Sequence, residues 1–232
     1  MNRELIESGE ISVEGRLVDA SNATLFVTIS NGAGEMKAIY KPIAGERPLW
    51  DFPDGNLASR ERAAYLISQA LGIHCVPLTI LRDGPFGIGS VQEWIDIDES
   101  VDLELYFSQD RPELRAVALF DAIINNTDRK IGHLLPTVAG VLFVCDHGVT
   151  FHVDDKLRTV LWQWAGASLT PDERSKIETL ITVITNNEIP ELLTLITEAE
   201  IDALRKRCEE LLATNSFPEP NPDWPHIPWP PF

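Results

Sequence analysis

The chain has 232 residues, 44% hydrophobic and 24% charged, which suits one large domain or two small lobes around a shared cleft. No apolar run nears the roughly 20 residues needed to span a bilayer, so membrane insertion is not expected. The net charge of −17 repels the phosphates of nucleic acids and anionic lipid headgroups, which argues against a nucleic-acid-binding module.

Three widely spaced cysteines, Cys75, Cys145 and Cys208, do not make a disulfide framework. The start, Met1-Asn2-Arg3-Glu4, lacks a basic stretch followed by an apolar one. Together these lead to the expectation of a cytoplasmic protein.

Along the chain, Ile11 to Val18 and Thr24 to Ile29 are β-rich and flank the polar segment Asp19-Ala20-Ser21-Asn22-Ala23. Asn31-Gly32-Ala33-Gly34 is a second turn, and Met36 to Lys41 a third strand. Its alternation puts Met36, Ala38 and Tyr40 on one face and Lys37, Ile39 and Lys41 on the other. Pro42, which has no N–H for the ladder, closes it. Residues 43–56 read as an ordered loop, because Trp50 and Phe52 are costly to leave in water. A helical period begins at Leu57 through Ala58, Glu61, Ala64, Tyr65, Ser68 and Leu71, and stops at Gly72. Strands are expected at Pro77 to Leu81 and Ile88 to Trp94, joined by Arg82-Asp83-Gly84-Pro85.

Beyond Asp96 the pattern turns helical. Leu114, Val117, Ala118 and Ile124 mark one face of a helix beginning near Pro112, followed by the polar segment Asn125 to His133. Val141 to Val144 is a short strand leading to Cys145-Asp146-His147-Gly148. Helical spacing returns at Ile177, Leu180, Ile181 and Ile184, at Leu192, Leu193 and Ile196, and at Ile201, Leu204, Cys208 and Leu211. Residues 217–232 hold seven of the sixteen prolines and two of the six tryptophans, so they are neither helix nor central strand. Such a tail either packs its aromatics on the body or docks a protein partner. The expected fold is α+β and two-lobed: a small antiparallel-sheet lobe over 1–95, a mostly helical lobe over 96–216, and the tail.

The order of polar residues carries the chemistry. A strand lysine, a helix glutamate, an Asn-x-Asp-Arg loop and an Asp-x-Gly after a strand are the parts that phosphoryl transfer needs. Lys41, in Ala38-Ile39-Tyr40-Lys41, is the candidate for neutralising phosphate, though alone it reads rather as an exposed strand-end lysine. Glu61 sits among Ala58, Ala63, Ala64 and Tyr65 and is its candidate partner; a solvated helix charge is the alternative. Asp146 is either a metal carboxylate or a turn-forming Asp before Gly.

The segment Asp121-Ala122-Ile123-Ile124-Asn125-Asn126-Thr127-Asp128-Arg129 resembles the catalytic loop of type II phosphatidylinositol 4-kinases, and HipA-type bacterial kinases carry a related Asn-x-Asp-Arg loop. Gly89-Ser90-Val91-Gln92 resembles the strand that enters the hinge of lipid-kinase-like proteins. Gly45 to Pro53, Gly-Glu-Arg-Pro-Leu-Trp-Asp-Phe-Pro, is similar to a segment of small bacterial, actinobacterial-type PI3/PI4-kinase-like proteins. The resemblance covers roughly residues 15 to 165 and implies a kinase-like fold with ATP and Mg²⁺ or Mn²⁺. It makes Asp128 and Arg129 catalytic together with Lys41, and Asp146 a metal ligand. Lys41 and Glu61 would hold the nucleotide, Ser21 and Asn22 its phosphates, and the backbone of Glu93, Trp94 and Ile95 its adenine. His133 stands five residues after Asp128, where such loops have a metal-binding Asn. An imidazole ligates softer ions better than Mg²⁺, which opens the reading of a pseudokinase without transfer.

A metal-dependent hydrolase built on His133, Asp146, His147 and His152 is a further alternative, but no His-Glu-x-x-His or Cys-rich zinc pattern is present. A purely structural interaction module using the Pro/Trp tail is another. With no basic amphipathic helix and a charge that opposes anionic membranes, the expected phospho-acceptor is a protein or a small molecule rather than a lipid.

Overall fold

The computed structural model describes residues 2–17 and 22–232. A short helix α1 (Asn2–Ser8) leads into β1 (Glu10–Arg16), β2 (Leu25–Ser30) and β3 (Glu35–Pro42). Helix α2 (Leu57–Ala70) follows, then the hairpin β4 (Thr79–Gly84) and β5 (Gly87–Glu93). These strands form one antiparallel sheet in the order β1-β2-β3-β5-β4. The alternation in β2 and β3 decides its orientation. Leu25, Val27, Ile29, Ala38 and Tyr40 are buried, with Ile6 of α1, Ile80 and Val91 in the same cluster. Each fully buried aliphatic side chain contributes about 1.5–3 kcal/mol, so this face cannot turn outward. The opposite face, with Ile39 and Lys41, is left to border a cleft.

Gly89 allows β5 to approach the lysine strand. A Cβ there would come within 2.7 Å of Pro42 Cα, a separation that side chains do not tolerate. The pairing of Lys41 with Ser90 and of Ile39 with Gln92 depends on that approach.

The remaining chain is α3 (Leu103–Phe107), α4 (Pro112–Ile124), β6 (Leu134–Pro136), β7 (Leu142–Val144), α5 (Pro171–Thr185), α6 (Leu192–Leu195) and α7 (Glu198–Thr214). Their apolar faces and that of α2 form a larger core around Leu114, Phe120, Ile123, Phe151, Leu180 and Leu204. Helix α4 starts on Pro112 and ends on Asn125, whose φ of 52° is left-handed. The Asn125 amide donates to the carbonyls of His152 and Asp154 and accepts from Lys156 N–H, so the helix end is bonded rather than frayed. Helices α5 and α7 each begin with a reciprocal Thr–Glu cap, Thr170 with Glu173 and Thr197 with Glu200. The architecture is therefore mixed α+β, an antiparallel sheet beside a helical portion.

Candidate active site

Two adjoining cavities lie between the sheet and the helical portion and share Thr24, Lys41, His133 and Asp146. One, of about 530 Å³, is bordered by Asn22, Glu46, Glu61, Asp128, Lys130 and Phe232. The other, of about 460 Å³, is more apolar, with Leu17, Ile39, Trp94, Ile95 and Leu135 on its walls.

Lys41 joins them. Its Nζ bonds Glu61 Oε1 and lies 2.9 Å from Asp146 Oδ1. Burial opposes charge on Lys41, but the Asp146 and Glu61 carboxylates outweigh it and raise its pKa. The Lys41 ammonium in turn holds Asp146 well below the usual carboxylate range. Burial acts to raise Glu61, and the same ammonium brings it down. All three are thus charged around neutral pH. The Asp146 side chain remains 53% exposed and turns its second oxygen toward the cavity and His133, whose Nε2 is 3.6 Å away. Its φ of 62° is a left-handed conformation that Asp tolerates better than most residues.

Asp128 faces the same cavity from the loop after α4. An Asx turn shapes that loop: Asn126 Oδ1 accepts from Asp128 N–H at 3.0 Å, while Asn126 Nδ2 donates to Asp121 Oδ1 at 2.9 Å. Burial raises the Asp128 pKa, partly offset by Lys130. Lys130 Nζ lies 3.5 Å from Asp128 Oδ2 and borders the cavity, a second cation that the loop pattern did not single out.

Arg129 does not border either cavity. It is fully buried, donates to both Asp121 oxygens at 3.0–3.2 Å, and donates to Cys145 O at 2.8 Å. The structure thus gives Arg129 no contact with the cavity expected to hold its chemistry: with Asp121 eight residues earlier as its counter-charge, it lies behind the loop. It also donates to His147 Nε2 at 2.8 Å. Arginine has no acceptor, so Nε2 is unprotonated and Nδ1 carries the hydrogen, 3.7 Å from Glu61 Oε2. The His147 backbone N–H donates to the same oxygen at 3.1 Å. Arg129, His147, Glu61, Lys41 and Asp146 thus form one chain of contacts from the loop to the strand.

His133 has the opposite tautomer, since Nδ1 accepts from Lys130 N–H at 3.4 Å and leaves the hydrogen on Nε2, facing Asp146. Burial lowers its pKa to about 4, so it is neutral at physiological pH. To ligate a metal through Nε2 it must exchange that hydrogen for Nδ1 and release Lys130.

On the apolar side, Glu93 N–H donates to Leu78 O at 2.8 Å and Trp94 N–H to Lys37 O at 3.1 Å. Of the three expected adenine-binding amides, only Ile95 N–H has no partner among the described residues. Trp94 packs edge-on against Phe26 with centroids 4.9 Å apart and borders the cavity. Asn22 Oδ1 accepts from Arg47 N–H at 2.9 Å; Ser21 lies outside the described residues.

Protein Rv2133c of Mycobacterium tuberculosis (strain ATCC 25618 / H37Rv) is 40% identical to this chain over 263 residues of alignment, covering 98% of this chain and 94% of that protein. The chain belongs to its family. No protein-family profile matches the sequence. Among solved structures, two of the Golgi casein kinase, one of them with Mn/ADP bound, have a TM-score of 0.56 at 12% identity, over 91% of this chain and 73–74% of that one. The Helicobacter pylori proinflammatory kinase CtkA gives a TM-score of 0.47 at 11% identity, over 90% and 93%. The fold is kinase-like.

Besides Lys130, the sequence did not single out Glu46 and Phe232 as cavity residues. Glu46 accepts from the first two amides of α2, Leu57 at 2.9 Å and Ala58 at 2.8 Å, from a loop without a recognisable capping pattern. Phe232 reaches the cavity from the Pro/Trp segment.

Proposed function

We propose that the protein is an ATP- and divalent-metal-dependent phosphotransferase of PI3/4-kinase-like type, acting on a protein or small-molecule hydroxyl. The observation that carries this is Lys41, held between Glu61 and Asp146 in the cavity that Asp128 also faces. In this reading Lys41 and Lys130 neutralise phosphate oxygens. The apolar cavity receives the base, and Ile95 N–H, without a partner among the described residues, is its candidate donor. Asp128 accepts the proton of the acceptor hydroxyl as that oxygen bonds to the γ-phosphorus and ADP leaves. Its raised pKa suits a base.

Asp146 fits a hard cation, and His133, once its ring hydrogen has moved to Nδ1, adds a nitrogen donor that suits Mn²⁺ better than Mg²⁺. Mg²⁺ takes one or two carboxylates and completes its shell with water and phosphate oxygens, so it needs no all-protein cage. Asp146 and His133 would hold it, and when bound it supplies charge neutralisation at the phosphates. A protein of like fold has been seen with Mn/ADP, which makes that pair the natural first ligand. We retain the division into lobes over 1–95 and 96–216 with a tail over 217–232, and cytoplasmic location, as parts of this proposal; no described helix is long and apolar enough to cross a membrane.

The test is thermal-shift titration with ATP and Mg²⁺ or Mn²⁺. An amide cannot replace the Asp146 charge, so Asp146→Asn should weaken binding about tenfold or more. Equal stabilisation of the two proteins would sink the assignment. A nucleotide-binding protein without transfer is the second reading, favoured by the engagement of His133 Nδ1 with Lys130. Intact-mass analysis after incubation with ATP and either metal separates the two, and also detects AMP transfer.

A further inference from the structure

Residues 217–232 return from the end of α7 across the loop that carries Asp128. Phe217 N–H donates to Ala167 O at 2.9 Å at the start of this return. The Trp224 ring lies 5.4 Å from Lys156 Nζ, which has Trp50 at 5.5 Å as well. The His226 carbonyl accepts from Thr159 N–H at 3.0 Å and Trp162 Nε1–H at 2.9 Å. The Pro231 carbonyl accepts from Ile131 N–H at 2.8 Å. Ile131 is three residues past Asp128, and Thr159 pairs with Arg129 in a β-bridge. The segment is therefore bonded to the catalytic loop and to the strand-like stretch beside it. Its prolines suit this placement. A proline has no N–H to satisfy, so at these positions the chain can hang on its carbonyls without leaving orphan backbone amides. Phe232 then enters the border of the cavity that holds Lys41, Asp128, Lys130 and Asp146, with half of its surface exposed.

We propose that residues 224–232 form the acceptor-side wall of the cleft, and that Phe232 selects a carbon-borne hydroxyl over water as the phosphoryl acceptor. This rests on the phosphotransfer reading. Asp128 as a base does not distinguish an alcohol from water. With water, its oxygen bonds to the γ-phosphorus and the bond to the bridging oxygen breaks. ADP leaves with that electron pair, inorganic phosphate is released, and the proton passes to Asp128 and then to solvent. An aromatic ring at the border of this cavity offers water no hydrogen-bond partner, whereas an acceptor with a carbon framework packs on the ring.

The experiment measures steady-state ADP release from ATP with Mg²⁺ or Mn²⁺, without added acceptor, alongside thermal-shift titration of nucleotide. Phe232→Ala should raise hydrolysis about fivefold or more, with the KM for ATP within about twofold of wild type. Val138→Ala, outside the segment and both cavities and 82% exposed, should leave the rate unchanged. An unchanged or lower rate for Phe232→Ala overturns the proposal. Hydrogen exchange gives a readout free of turnover: the Ile131 and Thr159 amides should be protected in wild type and exchange faster in Trp224→Ala/Phe232→Ala. Fast exchange of both in wild type removes the wall whatever the activity. Failure of the underlying reading is recognised separately, by equal nucleotide stabilisation of wild type and Asp146→Asn.

Discussion

Helix α2 and the C-terminal segment border the same cleft and are held by opposite means. Three consecutive α2 side chains reach three different parts of the molecule. Arg60 pairs with Glu200 at 2.6 Å and donates to Thr150 O and Asp54 O at 2.7 and 3.1 Å. Glu61 takes Lys41 and the His147 amide. Arg62 grips both Glu191 oxygens, at 2.9 and 2.8 Å, and donates to Thr79 O. In residues 217–232, by contrast, no ion pair is formed among the described residues, and carbonyl hydrogen bonds and ring contacts do the holding. Moving α2 strands buried charges, each costing several kcal/mol; lifting the tail beyond Phe217, which sits in the larger core, loses mainly a few hydrogen bonds that water replaces. The helix is set once, on folding, and the tail belongs to the low-stability end of the molecule.

The sharpest way to break this contrast is Arg60→Met. It leaves Glu200 buried without its cation and should cost about 3–5 kcal/mol, or a fall in Tm of about 10 °C for a chain of this size. Thermal denaturation followed by circular dichroism checks it. A loss below about 1 kcal/mol would mean that α2 is no better anchored than the tail.

Acid should also act on the helix side. Burial lowers the pKa of His133, to about 4, and that of His147, which packs against Glu61. The folded protein therefore prefers both neutral, and the unfolded chain takes up their protons first, near pH 6.5. Stability from these residues is complete above about pH 6.5 and declines as the pH falls toward 4, by about 3 kcal/mol for His133. Urea denaturation of the nucleotide-free protein from pH 7.5 to 4.5 measures this, and His133→Asn should flatten the slope. An unchanged slope would show that His133 is not held neutral by burial.

The smallest effect is expected in the tail. Trp224→Ala removes one ring from Lys156 and should cost about 1 kcal/mol or less in the same denaturation assay. A loss as large as that of Arg60→Met would reverse the comparison.

What could be read in advance follows the range of the physics. The alternation in β2 and β3 and the period of α2 and α4 were legible because each repeats over several residues. Helices α1 and α3, of seven and five residues, were not, since neither spans enough turns to show a period. Val141 to Val144 was seen, but not its partner β6, a three-residue strand whose only signal is that pairing. In the site, Lys41, Glu61, Asp128 and Asp146 each stand in a local pattern, and the structure brings them to one cavity. His147 had no such pattern for its role, because its contact with Glu61 joins residues 86 positions apart. The place of Arg129 was illegible for a related reason: the loop pattern names it, while its burial depends on Asp121 and Cys145 behind the loop.

The cleft's own charges have a further consequence. The cavity that receives phosphate in the proposed reading is bordered by four carboxylates, Glu46, Glu61, Asp128 and Asp146, and by two amines, Lys41 and Lys130. His133 adds nothing while neutral, and Glu46 already covers the positive end of α2. A nucleoside triphosphate bearing roughly four negative charges would thus enter a compartment that is itself anionic. Divalent ions are then a condition of entry rather than a later refinement. The nucleotide and its cations would load as one neutralised package.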